Sequence, residues 1–239
     1  LYSDGMFLLF PFLSMILPPS KPSSPPSSAL VPYTTHSAPL SRFRETTRRV
    51  TVGETTVTLE QDWDEHGVAG VLWDSAIVLS KYLLSPESDI DINGKCLVEL
   101  GSGLGLPSIL LSLSSLPTRV IATEQSLGLP LLQRNVLLNN APVQIEHLDW
   151  SSPSSSPVSS LSFDVILGAD LVYKEEAFPL LHQTLRVLAN KNTVIVLASR
   201  IRYPKDRKFY SNLKNDGFSV ERILYDRDTD VFLYRIQKQ

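Results

Sequence analysis

An α/β domain, built on a seven-stranded and mostly parallel sheet with helices on both faces and an antiparallel hairpin at the end, is the fold this 239-residue sequence predicts. Three observations predict it. From residue 96 onward, short β-like runs alternate with amphipathic helical stretches, the pattern of a parallel sheet covered on both faces. The first of those runs, 97–100, leads straight into Gly101-Ser102-Gly103-Leu104-Gly105, where glycines permit a tight turn and a close approach of the backbone to a nucleotide-like ligand. Finally, about five residues separate the last two strands, whereas a parallel crossover needs a dozen or more, so that pair is an antiparallel hairpin.

The elements follow in order. Residues 50–60 alternate like a strand pair. Asp74 is placed as the N-cap of a helix running to about Leu84, with Ile77 and Val78 facing the core ahead of Tyr82. Then come a strand at 96–100, a helix at 105–115, a strand at 119–123, a helix at 127–139 and a strand at 143–148. Beyond a serine-rich stretch are a strand at 163–168, a helix at 175–189, a strand at 193–199, a helix at 206–216 and the hairpin strands at 219–225 and 230–236. A dehydrogenase-type sheet would continue with further parallel units, and here the hairpin takes their place.

The bulk properties narrow the function classes. Apolar residues make up 43% of the chain, enough for a sizeable core. A net charge of −3 gives no general attraction to nucleic acid or anionic lipid. The local basic cluster Arg42, Arg44, Arg48 and Arg49 reads first as a solvated strand edge and second as a partner-binding patch. Cys96 is the only cysteine, which excludes an internal disulfide and points to a reducing compartment. It reads as a small core residue. The four histidines, His36, His66, His147 and His182, are scattered without ligand spacing, so no metal is expected.

Residues 6–17 are strongly apolar but fall short of the roughly 20 residues a bilayer span requires, and Pro11 interrupts them. No basic stretch precedes them, so they read as a tail rather than a signal peptide. The Pro- and Ser-rich run from Pro18 to about Leu40 reads as a disordered linker. The expected organisation is a tail at 1–40 and one folded domain at 41–239. Residues 151–160, composed of Ser, Pro and one Val, read as an exposed loop insertion.

Two further motifs sit downstream of the glycine turn: Ala122-Thr123-Glu124 and Gly168-Ala169-Asp170-Leu171-Val172-Tyr173. Each sets a carboxylate just after a β-like run, where ligands bind in open α/β sheets. Glu124 can accept hydrogen bonds from both hydroxyls of a ribose. Its plainer reading is an acid at the start of the next helix.

A glycine turn after the first strand, an acid after the second, an aspartate after the fourth and a terminal hairpin together resemble the class I, seven-β-strand, S-adenosylmethionine-dependent methyltransferases, which are Rossmann-like. The segment Gly70-Val71-Leu72-Trp73-Asp74-Ser75-Ala76-Ile77-Val78-Leu79 is very similar to the methyltransferase-like 21 group of protein-lysine methyltransferases, as are Leu148-Asp149-Trp150 and Ala169-Asp170-Leu171-Val172-Tyr173. Within that group the chain looks most like the branch that modifies valosin-containing protein, a AAA ATPase. The resemblance covers roughly residues 50–236. One departure is Pro107-Ser108, where the family turn usually continues to a further glycine. Serine is small, and a proline in the first helical turn costs little.

The resemblance implies the following roles. Gly101, Gly103 and Gly105 hold the backbone near the methionine part of the cofactor, and Glu99 lies near its amino end. Glu124 takes the ribose. Trp150 packs on the adenine with Asp149 close to the exocyclic amine, Trp73 walls the pocket, and Ala169 is a further cofactor-binding residue. Asp170 and Tyr173 match the family's Asp-x-x-Tyr motif at the mouth where substrate meets the methyl group, Asp170 orienting the amine and Tyr173 lining the channel. Plain packing is the alternative for Trp73 and Tyr173, loop anchoring for Asp149 and Trp150, and helix capping for Asp170.

The implied activity is transfer of a methyl group from S-adenosylmethionine to a lysine of a protein, with a AAA ATPase of the valosin-containing protein type as the implied target. The alternatives are a small-molecule methyltransferase and a non-catalytic cofactor-binding interaction module. A nucleic-acid amine methyltransferase is disfavoured, since the usual paired prolines after the fourth strand are replaced by Leu171-Val172 and the chain lacks a broad basic face. No membrane span, a monomer and a cytoplasmic location, with the nucleus second, complete the expectations.

Overall fold

The computed structural model describes residues 40–239. The apolar segment and the Pro/Ser-rich run expected as a tail lie outside the described residues, apart from Leu40, which opens a single 3-10 turn at Leu40–Phe43.

The seven-stranded sheet is assembled from β3 (Cys96–Leu100), β4 (Arg119–Glu124), β5 (Gln144–His147), β6 (Val165–Ala169), β7 (Val194–Arg200), β8 (Phe218–Asp226) and β9 (Val231–Lys238). Their spatial order is β5-β4-β3-β6-β7-β9-β8. The pairs β3–β4, β4–β5, β3–β6 and β6–β7 are parallel, and β9 runs antiparallel between β7 and β8. The hairpin thus inserts its second strand inside the sheet and leaves β8 at the edge. The order in which the chain lays down its strands reverses at β3, and the parallel strands on its two sides, β4 and β6, lead in opposite directions from a crevice at their carboxyl ends. That reversal is where open α/β sheets bind ligands.

Strand residues alternate between two buried layers, as the two-residue period of a strand requires. Leu97, Leu167, Val196 and Ala198 pack with Val78, Leu79 and Leu83 of α2 (Asp74–Leu83). Val98, Leu100, Ile166, Ile195 and Leu197 pack on the opposite face with α5 (Phe178–Leu188) and α6 (Pro204–Asn215). Helices α3 (Leu106–Leu113) and α4 (Leu129–Leu138) join α2's side through Leu106, Ile109, Leu131 and Leu132.

A separate antiparallel pair, β1 (Thr47–Val52) and β2 (Thr55–Glu60), precedes the short helix α1 (Trp63–His66). Its edge is satisfied by two asparagines, Asn135 in α4 and Asn139 at that helix's C-cap. Asn135 accepts from the backbone N–H of Glu60 at 2.7 Å and donates to its carbonyl at 3.1 Å. Asn139 does the same for Thr58, at 3.0 and 2.8 Å. These amides stand in for a third strand, and an open edge of that kind is otherwise a template for aggregation.

Two expectations are corrected here. The serine-rich stretch is not a simple exposed loop: it forms 3-10 turns at Pro153–Ser155 and Pro157–Ser160, and Pro153, Ser156 and Val158 are buried. Val158 belongs to the core beneath α5, so one apolar residue in a run of serines anchors the whole segment. The N-cap of α2 is Trp73, not Asp74, and it makes no side-chain cap bond. Asp74 is instead the first helical residue, and its carboxylate pairs with Arg200 at 3.6 Å. Among the described residues, no helix is long and apolar enough to cross a membrane.

Candidate active site

The glycine turn links β3 to α3 through three left-handed residues, with φ of 54° at Gly101, 52° at Gly103 and 80° at Gly105. Two of them are also crowded, so that an added side chain would have to displace a neighbour. A Cβ on Gly101 would lie 2.9 Å from Leu171 and 3.3 Å from Trp150, and one on Gly105 would lie 2.5 Å from Leu132. The indole of Trp150 therefore rests against the turn, and Leu171 packs beside it, which brings the segment after β6 up to the glycines. Pro107 occupies the first turn of α3, where its missing N–H is harmless.

Ser108, at the departure from the family pattern, is fully buried. Its backbone N–H and its hydroxyl both donate to Glu99, at 3.0 and 2.5 Å. Glu99 is 2% exposed, and its carboxyl turns inward to α3 rather than toward the mouth. Burial pushes its pKa up to about 8, against the lowering effect of the Ser108 bonds. The same strand is clamped to β4: the Thr123 hydroxyl donates to the carbonyl of Glu99 at 2.7 Å, and Ser102 exchanges bonds with the Thr123 backbone at 2.9 and 3.1 Å.

Glu124 ends β4 and holds the turn from the other side. One carboxylate oxygen accepts from the N–H of Gly103 at 2.8 Å, the other from the N–H of Gln125 at 2.8 Å. Burial raises its pKa, and those two N–H groups pull against that shift. It does not act as a side-chain cap for α4, whose N-cap is Gly128. Both oxygens retain lone pairs, and the residue is half-buried, so it can still receive two hydroxyls.

Asp149 and Trp150 follow β5. Asp149 accepts from the backbone N–H of Ser151 at 2.8 Å, which holds its pKa low and fixes the turn that aims Trp150 at Gly101. Ala169 closes β6, and Asp170 follows with its N–H donated to Ala198 at 2.8 Å and a left-handed φ of 56°. For a residue other than glycine that conformation is uncommon and is tolerated best by Asp and Asn. Tyr173 is half-buried. Its phenol pKa is raised by burial and then by the charges of Glu124 and Asp170, which puts all three groups in one electrostatic neighbourhood.

Trp73 stands on the outer side of this mouth. Its indole N–H donates to the carbonyl of Val68 at 2.8 Å, and its ring lies 5.3 Å from Phe43 and 5.8 Å from the guanidinium of Arg202. Arg202 grips Asp170 with two parallel bonds, at 3.2 and 3.0 Å. Sequence reasoning missed it. The signal was present in Arg200-Ile201-Arg202-Tyr203, two arginines at the carboxyl end of a buried strand. Asp206, 1% exposed, completes the arrangement by accepting from the N–H groups of Arg202 and Tyr203 at 2.9 Å each. This is the capping box of α6, whose start at Pro204 precedes the expected 206.

Gly101, Gly103, Gly105, Glu124, Trp150, Ala169, Asp170 and Tyr173 thus lie at the carboxyl ends of β3, β4, β5 and β6, with Glu99 behind the turn as support, Trp73 joined to them through Arg202, and Asp149 bonded to its own turn at Ser151. Away from this site, Asp62, Glu65 and His66 bring ligand-type atoms within 4.8 Å of one another among the described residues, a proximity that the scattered histidines of the sequence do not suggest. One oxygen of Asp62 is occupied by capping α1.

The lysine methyltransferase family, Methyltransf_16, matches residues 52–216. The chain is 38% identical over 216 residues to "Protein N-lysine methyltransferase METTL21A" of Danio rerio, covering 88% of this chain and 96% of that protein. It is 33% identical over 176 residues to "EEF1A lysine methyltransferase 3" of Xenopus tropicalis, covering 72% and 76%. Among solved structures it is similar in fold to a methyltransferase from Pyrococcus furiosus, with a TM-score of 0.52 and 17% identity over 69% of this chain and 96% of that one. It is also similar to Aeropyrum pernix fibrillarin bound to S-adenosyl-L-methionine, with a TM-score of 0.53 and 13% identity over 80% and 94%. With a crevice at the chain reversal, a crowded glycine turn and the family profile running across both, this chain belongs to the lysine methyltransferase family.

Proposed function

We propose that the chain transfers the methyl group of S-adenosylmethionine to the side-chain amine of a lysine in a protein substrate. The observation that carries this reading is the meeting, in a lysine methyltransferase family member, of Asp170 and Tyr173 with the glycine turn and Glu124 at one crevice. The residues fit the cofactor: the turn runs through three left-handed glycines at the crevice, and Glu124 offers paired acceptors suited to ribose hydroxyls. Gly101, Gly103 and Gly105 would face the methionine portion. Trp150 and Asp149 would hold the adenine, Ala169 and Trp73 would wall the pocket, and Glu99 would brace the turn through Ser108.

When bound, the cofactor supplies a methyl already activated by a positive sulfonium. The chain's task is to present a neutral amine in line with it. A lysine of ordinary pKa requires about 4.6 kcal/mol to deprotonate at pH 7. Apolar walls such as Leu171 and the ring of Tyr173 disfavour the ammonium and reduce that cost. Asp170 orients the amine through a hydrogen bond, and alignment supplies much of the rate.

The first target class is a AAA ATPase of the valosin-containing protein type, as the resemblance implies. The relative named "EEF1A lysine methyltransferase 3" supports a second target class, proteins of the EEF1A type. We further propose that the domain begins near residue 41 and acts as a monomer in the cytoplasm, with the nucleus second. The full chain, radiolabelled S-adenosylmethionine and a cell lysate, run beside Asp170→Ala, test the activity. Label on a lysine of one protein band, absent with the variant and placed by mass spectrometry, is expected, and the identity of the band separates the two target classes. Label confined to protease-resistant material would replace the reading with a small-molecule or nucleic-acid substrate. Tight cofactor binding with no label anywhere would favour an interaction module.

A further inference from the structure

Four charges crowd the mouth as two ion pairs: Asp170 with Arg202 at 3.0 Å, and Asp74 with Arg200 at 3.6 Å. All four side chains are largely buried, with exposures of 9% and 22% in the first pair and 26% and 12% in the second. The first pair is the better built. The fork of Arg202 meets both oxygens of Asp170, its face lies over Trp73, and its backbone is tied down by buried Asp206. Planar bidentate recognition of this kind is what arginine offers and lysine does not.

This matters for lysine methylation, and the argument rests on that reading of the site. The reactive species is the neutral amine. A bare carboxylate beside it would stabilise the ammonium and raise the amine's pKa. A carboxylate already neutralised by a guanidinium keeps lone pairs for orienting the amine and loses the field that would hold its proton. The other charged or titratable groups bordering Asp170 are Asp74 on α2, Arg200 on β7, Asp206 and Tyr210 on α6, Tyr173 after β6 and, through Tyr173, Glu124 on β4. Asp74 lies 3.6 Å from Arg200 and also feels Arg42 and Arg48, Asp206 is turned to the backbone of Arg202 and Tyr203, Tyr210 is bonded to Ser199, and Glu124 is bound to Gly103 and Gln125. Arg202 is therefore the group that sets the local charge at Asp170.

We propose that Arg202 is the positioning residue of the lysine channel: it fixes Asp170 in the productive orientation and cancels its charge, so that the incoming lysine reacts as a neutral amine. The residue acts through Asp170 and needs no contact of its own with the methyl group. The expected signature is electrostatic rather than a general loss of fold.

The test compares the full wild-type chain with Arg202→Met and Arg202→Lys. Initial rates of label transfer from S-adenosylmethionine to the same lysate protein band, at subsaturating lysate, are followed from pH 6 to 9.5. In Arg202→Met the acidic limb should move up by about one pH unit, since an uncovered carboxylate within a few ångströms shifts a cation's pKa by that order. Arg202→Lys should return the limb toward the wild-type position while remaining slower, because the charge is restored and the fork is not. A second readout needs no turnover. By calorimetry, the affinity ratio of S-adenosylmethionine to S-adenosylhomocysteine should rise about three- to fivefold in Arg202→Met, as the exposed charge of Asp170 favours the sulfonium. A limb that stays in place in Arg202→Met, or an unchanged ratio in a variant that still binds both molecules, overturns the proposal. Should the wild type label no protein lysine, the lysine reading itself fails and the inference falls with it, a result distinct from label with an unmoved limb.

Discussion

At the amino ends of the parallel strands, Asp89, Asp91, Lys95, Asp164 and Arg235 line an open cavity of about 440 Å³. At the carboxyl ends, Glu99, Glu124 and Asp170 surround the glycine turn. The two ends hold similar numbers of carboxylates and use them differently. Asp89 is more than half exposed and pairs with Arg235 and the hydroxyl of Tyr82, and Asp164 accepts from the N–H of Cys96 at 2.8 Å across a strand start. These are surface pairs and end caps, interactions that contribute little each. At the carboxyl ends the acids are buried or half-buried, carry raised pKa values at Glu99 and Glu124, and sit among left-handed residues. Groups held in costly environments persist where the surrounding fold over-determines them, and they cluster at functional sites.

The sharpest way to break that comparison is Asp170→Asn. Asparagine tolerates the left-handed backbone but leaves the guanidinium of Arg202 without its charge partner, so the melting temperature should fall, while with saturating cofactor and below the melting range the initial rate of lysine labelling falls about a hundredfold through lost alignment. An equal loss from Asp164→Asn would erase the distinction between the two ends. Glu124→Ala comes next. Losing its acceptors should weaken S-adenosylmethionine binding about fifty- to hundredfold, or about 2.5 kcal/mol, by calorimetry.

Gly101→Ala separates crowding from backbone strain. Gly53, in the β1–β2 turn, has a similar φ of 57° with nothing near its Cβ position. Gly53→Ala should therefore cost about 1 kcal/mol from the left-handed backbone alone. Gly101→Ala should cost about 1–2 kcal/mol more through collision with Leu171 and Trp150, as measured by denaturant melts.

The pH dependence of Glu99 has a definite sign. Its folded-state pKa, near 8, lies above the ordinary glutamate value of 4.5. Between those values the folded state holds a proton that the unfolded chain releases, so this residue's contribution to stability falls as pH rises and levels off above about 8. Glu99→Gln, which still accepts from Ser108, should gain in melting temperature relative to the wild type from pH 5 to 8. A constant difference across that window would refute the buried, protonated carboxyl. The smallest effect is expected at the amino end, where Asp89→Asn should change stability by no more than about 0.5 kcal/mol and leave cofactor affinity unchanged.

Much of this was legible along the chain because it is local. Strand alternation, the spacing of Gly101, Gly103 and Gly105, and the acids at the end of β4 and after β6 are each patterns within a few residues, and together they place the crevice. The hairpin followed from loop length alone. Its insertion of β9 between β7 and β8 did not, since pairing order depends on which edge buries more surface.

What stayed hidden depends on partners far apart in sequence. Asn135 and Asn139 look like ordinary polar helix residues until they meet the β2 edge 75 and 81 residues away. Val158 looks like an accident in a serine run until it is seen in the core under α5. Asp74 reads as a cap by local rules, and a long-range ion pair with Arg200 claims it instead.

The sequence by itself determined the fold class, the position of the glycine turn and the identity of the carboxylates around it, because backbone conformation and hydrophobic period act over short stretches. Only the tertiary structure decided which charges those carboxylates face: Glu99 turned to Ser108, Glu124 to Gly103, and Asp170 gripped by Arg202, 32 residues later in the chain. Electrostatic environment is set by burial and by neighbours in space, and neither can be read from spacing along a strand.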